Sequence, residues 1–167
     1  MSNLTTLRSL NISGNAIGAT GAVAMTASLC HLTALQSLDI RYNDFGGDGA
    51  EALGASLSHL TALQSLDICG SGIGAAGAVA MTASLSYLTA LQSLDISSNA
   101  IGAAGAVATK ASLCHLAALQ SLHISGSAIG GLVTIVRSLW VPNCATWRLS
   151  SHLISMVIGL GLRVLRL

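Results

Sequence analysis

Three glycines of this chain have the spacing of a phosphate-binding loop. Gly72, Gly74 and Gly77 follow the apolar run that ends at Ile68, in the order G-x-G-x-x-G, and an alanine-rich helical pattern comes after them. In a dinucleotide-binding fold such glycines let the backbone approach a pyrophosphate, and a carboxylate further along the chain, here Asp95, binds a ribose hydroxyl. The motif suggests a nucleotide site unless another pattern places the same glycines.

A second set of residues that could take part in chemistry is acidic. Asp39, Asp67 and Asp95 follow one another at intervals of 28 residues, and Arg41 and His123 occur in the same pattern. If strands with this spacing pair in parallel, the carboxylates lie on adjacent strands, which are about 4.8 Å apart. Like charges placed there repel each other, so a cation supplied by a partner would stabilise them.

The histidines give no pattern that is typical of a metal or catalytic site. His31, His59 and His115 occupy one position of the repeat described below, which spreads them along a row, whereas metal ligands converge at about 2 Å from one ion. Cys114 and His115 are adjacent in sequence, so their side chains diverge on a helix. No base is placed to act on a serine nucleophile. We predict no enzymatic activity, no metal and no cofactor.

Composition and targeting signals narrow the classes of partner and the location. The net charge is +1 and charged residues make up 8% of the chain, which gives no electrostatic reason to expect nucleic acid or an anionic membrane as partner. The uncharged stretch 71–91 is mostly Gly, Ala, Ser and Thr and belongs to a repeat, so we predict no membrane span. The N-terminus lacks a secretory signal, which predicts a cytoplasmic protein with free thiols. The cysteines are Cys30, Cys69, Cys114 and Cys144.

One unit of 28 residues is repeated along most of the chain. The segment LTALQSLDI begins at Leu32, Leu60 and Leu88, with variant copies at Leu4 and Leu116. Polar and apolar residues alternate around SLDI, which predicts a short strand with one buried face. Later apolar residues recur every three or four positions, which predicts a helix, and only stacking of the units buries their apolar faces. The strands are predicted within residues 7–12, 35–40, 63–68, 91–96 and 119–124.

The repeat explains the glycine motif better than a nucleotide site does. The position of Gly72 holds alanine or aspartate in the other copies, namely Ala16, Asp44, Ala100 and Ala128. The position of Gly77 keeps glycine in Gly21, Gly49 and Gly105, and we predict that it marks a sharp bend between strand and helix. A nucleotide-binding fold has no reason to copy one unit five times.

A polar position that follows each strand is predicted to be structural. It holds Asn15, Asn43, Ser71, Asn99 and Ser127. A buried side-chain amide at this position can satisfy backbone groups of the turn. Serine does so less completely, so we expect looser turns at Ser71 and Ser127.

These units resemble the leucine-rich repeats of the ribonuclease-inhibitor-like class, whose pattern is L-x-x-L-x-L-x-x-N-x-I-G-x-x-G-A. The resemblance covers roughly residues 4–130 and implies an α/β solenoid, a horseshoe with a parallel sheet on the concave side and helices on the convex side. Relatives include the ribonuclease inhibitor, Ran GTPase-activating proteins and the sensor regions of NOD-like receptors. Residues 1–130 are assigned to the solenoid. Residues 131–167 are an irregular cap, a degenerate repeat or an out-of-frame tail.

The favoured function is a scaffold that binds another protein, through a basic segment of that partner, on the concave sheet. The residues expected to bind are Asp39, Arg41, Asp67, Asp95 and His123. Two alternatives stay open: a GTPase activator of the Ran type, which rests on resemblance alone, and a degenerate fragment without independent function. The abrupt ends of the repeat pattern favour a fragment of a larger repeat protein. Sparse charge on the helical side predicts that the isolated chain self-associates.

Overall fold

A computed structural model describes residues 4–126 as a row of strand–loop–helix units. After a short 3-10 helix at Leu4–Thr6, the strands are β1 (Ser9–Asn11), β2 (Ser37–Asp39), β3 (Ser65–Asp67), β4 (Ser93–Asp95) and β5 (Ser121–His123). The helices between them are α1 (Gly18–Leu29), α2 (Gly46–Leu57), α3 (Gly74–Leu85) and α4 (Gly102–Leu113). The predicted division at residue 130, the segment 131–167 and Ser127 lie outside the described residues.

Within residues 4–126 the five strands form one parallel sheet in chain order. The register aligns equivalent repeat positions, so that Leu38 is opposite Leu66 and Asp39 is opposite Asp67. Each helix packs against the next one along the chain, from α1 to α4. Helices that form one continuous row must lie on one face of the sheet. The predicted parallel strands, with helices on one side only, are therefore confirmed.

The core lies between this sheet and the row of helices. The middle residue of each inner strand is buried, for example Leu38 and Leu66, while the residues on either side are partly exposed. On the helices, Leu53, Leu57 and Met81 are almost completely buried against the strands. Helix axes pack about 8–10 Å apart, whereas strands are about 4.8 Å apart, so a stack of such units bends with the sheet on its inner side.

The glycines equivalent to Gly77 do not form the bend between strand and helix, so that prediction was wrong. Gly77 lies inside α3, and a Cβ atom added to it would fall 2.7 Å from Cβ of Ala50 on the neighbouring helix. Its lack of a side chain lets α2 and α3 approach closely. The bend is three residues earlier, at Gly74, which has φ of +63° and begins the helix.

Buried asparagines tie each turn to the turn of the preceding repeat. Asn43 is fully buried, and its Nδ2 donates to the carbonyls of Ile40, at 2.9 Å, and Ile12, at 3.0 Å. Its Oδ1 accepts the N–H of Asn15 at 2.9 Å. Asn99 makes the same set of bonds two repeats later. Asn15 is exposed, and its amide donates only within its own repeat.

Ser71 occupies the same buried position but holds its turn less well. Its hydroxyl reaches the carbonyl of Ile40 at 3.2 Å. The backbone bond that crosses this turn, from Gly46 N–H to the Ser71 carbonyl, is 3.4 Å long, whereas the bond from Gly74 to the Asn99 carbonyl is 2.9 Å. A hydroxyl cannot bridge as many backbone groups as an amide, and the longer bond is what a looser turn implies.

The prediction that every cysteine is free was wrong at Cys114. Cys30 and Cys69 are free, but Cys114 is disulfide-bonded, and its partner lies outside the described residues. The prediction rested on the lack of a secretory signal and therefore on the compartment. That reasoning said nothing about which cysteines lie close together in the fold.

Candidate interaction surface

The sheet face opposite the helices, called the open face here, carries the residues that were predicted to bind a partner. It consists of the side chains at two positions of every strand: the serines from Ser9 to Ser121, and the series Asn11, Asp39, Asp67, Asp95 and His123. The register places Asp39 opposite Asp67, Asp67 opposite Asp95, and Asp95 opposite His123. The acidic residues are therefore neighbours, as the repeat spacing predicted.

Arg41 places a positive charge beside the acidic row, which consists of Asp39, Asp67 and Asp95. Its Nη2 lies 3.2 Å from Oδ2 of Asp39, and its Nη1 lies 3.6 Å from Oδ2 of Asp67. Asn11 Nδ2 also donates to the same Asp39 oxygen, at 3.1 Å. Arg41 was predicted only as one of the binding residues, whereas the structure shows that it bridges two of the three carboxylates. The part of the row with spare negative charge is therefore at Asp67 and Asp95.

One oxygen of each acidic side chain is used by the backbone. Oδ1 of Asp67 accepts the N–H of Cys69 at 3.0 Å, and Oδ1 of Asp95 accepts the N–H of Ser97 at 2.8 Å. Asn11 bonds in the same way to Ser13. Aspartate and asparagine suit this position because their side chains can accept the N–H two residues further on. Among residues 4–126, Oδ2 of Asp95 accepts no hydrogen bond and makes no ion pair.

Burial raises the pKa of the Asp67 carboxyl above its ordinary value. The charges of Asp95 and Asp39 raise this pKa further, whereas the Cys69 N–H and the Arg41 guanidinium lower it. The pKa is raised overall because burial and the two neighbouring carboxylates together outweigh the Cys69 N–H and the Arg41 guanidinium. Among the three aspartates, Asp67 is thus the one whose ionised form is most disfavoured by its surroundings.

His123 ends the row differently from the aspartates. Its Nε2 lies 3.0 Å from Oγ of Ser121, a residue of its own strand. An imidazole placed opposite Asp95 contributes no negative charge, so the acidic row ends at Asp95 on this side.

Tyr42 is the feature of this surface that the sequence analysis missed. Its ring is 58% exposed and lies over Gly70, where an added Cβ would come within 2.5 Å of ring carbons. Its hydroxyl lies 3.9 Å from Sγ of Cys69. The other repeats have glycine or serine at this position, so a comparison between repeats would have revealed it. An exposed tyrosine beside an arginine is a combination that protein interfaces favour.

The Cys69 thiol beside this ring is not activated for nucleophilic chemistry. Burial raises its pKa, and the carboxylates of Asp95 and Asp67 raise that pKa further, although hydrogen bonds with Tyr42 and Ser98 lower it. A raised pKa disfavours the thiolate, which is the reactive form. The pKa of the Tyr42 hydroxyl is raised as well, chiefly through its hydrogen bond with Cys69.

Two backbone amides of the glycine-rich loop, at the start of its helix, are bonded to the next repeat. The N–H of Gly74, which would face a phosphate in a nucleotide site, donates to the Asn99 carbonyl at 2.9 Å. The N–H of Ile73 points to the side-chain oxygen of the same asparagine, at 3.4 Å. These two amides therefore join neighbouring repeats.

Residues 4–126 contain neither a candidate metal site nor a helix that could span a membrane. No group of three or more His, Cys, Asp or Glu side chains in that range could hold a metal ion. The exposed histidines His31, His59 and His115 are spread along the helical side. None of the helices that the structure describes is both long enough and apolar enough to cross a membrane.

Three segments of the chain are similar to a known protein family. The family model described as Leucine Rich repeat matches residues 3–25, 30–54 and 87–108. These matches cover units that fold as strand, loop and helix, and leucine-rich repeats generally mediate interactions between proteins. A search of curated proteins found no match to the chain.

Proposed function

We propose, from the three segments that match the Leucine Rich repeat family, that the chain is a scaffold that binds another protein on the open face of its sheet. The observation that carries this proposal is the row of polar side chains that parallel pairing holds in register along five strands. A rigid row of this kind can recognise an extended segment over several residues.

The partner that this surface fits is one with a basic segment. Asp39, Asp67 and Asp95 carry three negative charges, and Arg41 supplies one positive charge against them. A lysine or arginine of the partner that reaches Asp67 and Asp95 would form charge-assisted hydrogen bonds with Oδ2 of these residues. Tyr42 supplies an exposed aromatic side chain beside this acidic pair.

Selection from an unbiased peptide-display library tests the proposal. The full chain is immobilised and the retained peptides are sequenced. We expect enrichment of peptides with two or more Lys or Arg residues and loss of their binding as salt is raised, because salt screens the charge pairs. Retained peptides with no excess of basic residues would overturn the proposed partner class.

The variant for this test replaces Asp39, Asp67 and Asp95 by asparagine. Asparagine keeps the Oδ1 acceptor that holds the backbone two residues further on, so the fold is expected to persist. The matched control removes three carboxylates from exposed positions outside the open face, as Asp44→Asn, Asp48→Asn and Glu51→Gln. Both variants lose three charges, but only the first should lose the basic peptides.

The ribonuclease-inhibitor-like subclass is part of the same proposal. Its support is the 28-residue period together with a 12-residue α-helix in each of the four units that have a described helix. Self-association of the isolated chain is also proposed. Its support is the exposure of Val23, Val79 and Val107 on the helices and of Leu4 at the first repeat.

The cytoplasm is the proposed location. The free thiols of Cys30 and Cys69 fit a reducing compartment, whereas a disulfide at Cys114 would be reduced there. Trapping the thiols of freshly lysed cells with an alkylating reagent tests this. We expect Cys30 and Cys69 to be alkylated, and recovery of either residue in an oxidised form would contradict a cytoplasmic location.

A further inference from the structure

The outer edge of β1 carries the backbone groups with which every inner repeat holds the repeat before it. Between β2 and β3, for example, Ile40 N–H donates to the Asp67 carbonyl at 2.9 Å, and Ser65 N–H donates to the Gln36 carbonyl at 3.0 Å. Each repeat thus offers a carbonyl and an N–H to its predecessor. In the first repeat the equivalent groups are the Asn11 carbonyl and the Ser9 N–H, and neither has a partner within residues 4–126.

The Asn15 side chain also has a hydrogen-bond acceptor, Oδ1, that no group within residues 4–126 uses. In the second repeat, Asn43 Oδ1 accepts a backbone N–H of the preceding unit at 2.9 Å. Asn15 Nδ2 donates only to carbonyls of its own unit, at 2.8 and 3.2 Å. Its Oδ1 accepts nothing from the part of the chain that the structure describes. Asn43 binds the repeat before it in this way, whereas Asn15 has no preceding repeat to bind among the described residues.

The apolar side chains at this end are incompletely covered. Leu4 is 61% exposed, whereas Leu60, at the same position two repeats later, is 0% exposed. Five other core positions of the first repeat are only partly buried, while their counterparts in the second repeat are almost completely buried. These first-repeat residues are Leu7, Leu10, Ile12, Ile17 and Met25. Their counterparts show that another repeat of the same kind would cover them.

The outer edge of β5, at the other end of the sheet, carries the complementary backbone donor and acceptor. In the inner repeats, the isoleucine N–H after each strand donates to the next unit, and the glutamine carbonyl before each strand accepts two N–H groups from it. In the unit of β5 these groups are the Ile124 N–H and the Gln120 carbonyl, which have no partner among residues 4–126. They are the donor and the acceptor that the Asn11 carbonyl and the Ser9 N–H need.

We propose that the outer edge of β1 binds a second copy of this chain head to tail, with β1 paired in parallel to β5 of that copy. The contact continues the repeat-to-repeat interface across two molecules and brings Ser9 opposite Ser121 of the second copy, as Ser9 is opposite Ser37 within one chain. The contact specifies the surface and the geometry of the self-association proposed above. This inference rests on that proposed self-association. A contact between unlike ends does not close by itself, so longer assemblies are expected at high concentration.

A proline variant separates this edge from the other surfaces. Ser9→Pro removes an N–H that points away from β2, and proline is tolerated at the first residue of an edge strand. The bonds that join β1 to β2, from Ile12 N–H to Asp39 and from Gly14 N–H to Arg41, do not use it. Ser9→Ala keeps the N–H and is the control. In sedimentation of the full chain, we expect concentration-dependent association for wild type and Ser9→Ala and a monomer for Ser9→Pro.

A cysteine pair tests the register of the contact. In one molecule Ser9 and Ser121 are four strand spacings apart, about 19 Å, beyond the roughly 7 Å Cα separation that a disulfide allows. The double variant Ser9→Cys, Ser121→Cys can join these positions only between molecules. Under mild oxidation we expect a ladder of disulfide-linked oligomers from the double variant, beyond the background that wild type and each single variant give.

The outcomes distinguish the docking surface from self-association in general. A wild-type chain that stays monomeric at all concentrations overturns both. Association that persists unchanged in Ser9→Pro, or that is lost instead in Val79→Lys with Val107→Lys on the helices, overturns the β1 edge alone. A double-cysteine variant that oxidises like its single variants also overturns it.

Discussion

Arg41 Nη1 lies 3.6 Å from Oδ2 of Asp67, a residue of the next repeat, while the same guanidinium holds Asp39 at 3.2 Å. The arginine therefore competes with any cation that a partner brings to these carboxylates. Such exposed pairs add little to stability, but they decide how much negative charge the open face presents.

Replacing Arg41 by glutamine should strengthen the binding of basic peptides. One positive charge about 5 Å from the site opposes a cationic ligand by about 1 kcal/mol in water, which corresponds to roughly a fivefold change in affinity. Titration of a selected basic peptide into Arg41→Gln and wild type measures the change. Weaker binding would show that Arg41 itself contacts the partner.

Ser71→Asn should stabilise the fold. Asparagine at this buried position would form the bonds that Asn43 and Asn99 form on either side, and each such bond is worth about 0.5–1.5 kcal/mol. We expect the free energy of unfolding in urea to rise by about 1–2 kcal/mol. The reverse change, Asn99→Ser, should lower it by a similar amount, and equal stability of all three proteins would contradict the role of the amide.

Gly77→Ala should destabilise the fold, although alanine is the better helix former. The added Cβ would lie 2.7 Å from Cβ of Ala50, so α2 and α3 must separate, at a cost of about 1–3 kcal/mol. Gly47→Ala is the matched control, because its Cβ would meet Ala76 at an ordinary 3.8 Å. That variant should be unchanged or stabilised by up to about 1 kcal/mol. The midpoint of thermal unfolding compares the two, and equal behaviour would contradict the close helix contact.

The raised pKa of Asp67 predicts a pH dependence of stability. Because the folded protein binds this proton more tightly than the unfolded chain, ionised Asp67 lowers the free energy of unfolding at neutral pH, and this penalty disappears as pH falls through the folded pKa. Asp67→Asn should therefore be at least as stable as wild type at pH 7, with the difference shrinking on acidification. Urea unfolding of both proteins, from pH 7 down to the ordinary pKa of aspartate, about 4, checks the sign of this stability difference. A variant that is less stable at pH 7 would contradict it.

The fold was predictable because one unit recurs with the same spacing. A period of 28 residues fixes the register, so the neighbourhood of Asp39, Asp67 and Asp95 followed from counting alone. Contacts made by residues that differ between the units were not predictable in this way. The bridging position of Arg41 depends on the rotamers of a long side chain, and that of Tyr42 on its φ of +56°.

The error about the glycines has a physical cause as well. Both Gly74 and Gly77 recur in the repeat, and sequence alone does not tell a glycine needed for positive φ from one needed for a close helix contact. The disulfide at Cys114 was missed because free thiols were inferred from the expected compartment, which does not tell which cysteines lie close together in the fold.

The most direct test of the proposed function is the dissociation constant of one selected basic peptide for three proteins at one salt concentration. These are wild type, the open-face variant (Asp39, Asp67 and Asp95 to asparagine) and the control variant (Asp44→Asn, Asp48→Asn, Glu51→Gln). Circular dichroism first establishes that all three are folded. We expect affinity to fall at least about tenfold, or about 1.4 kcal/mol, for the open-face variant and to change by less than about twofold for the control. Equal affinity of the open-face variant and wild type would contradict the account.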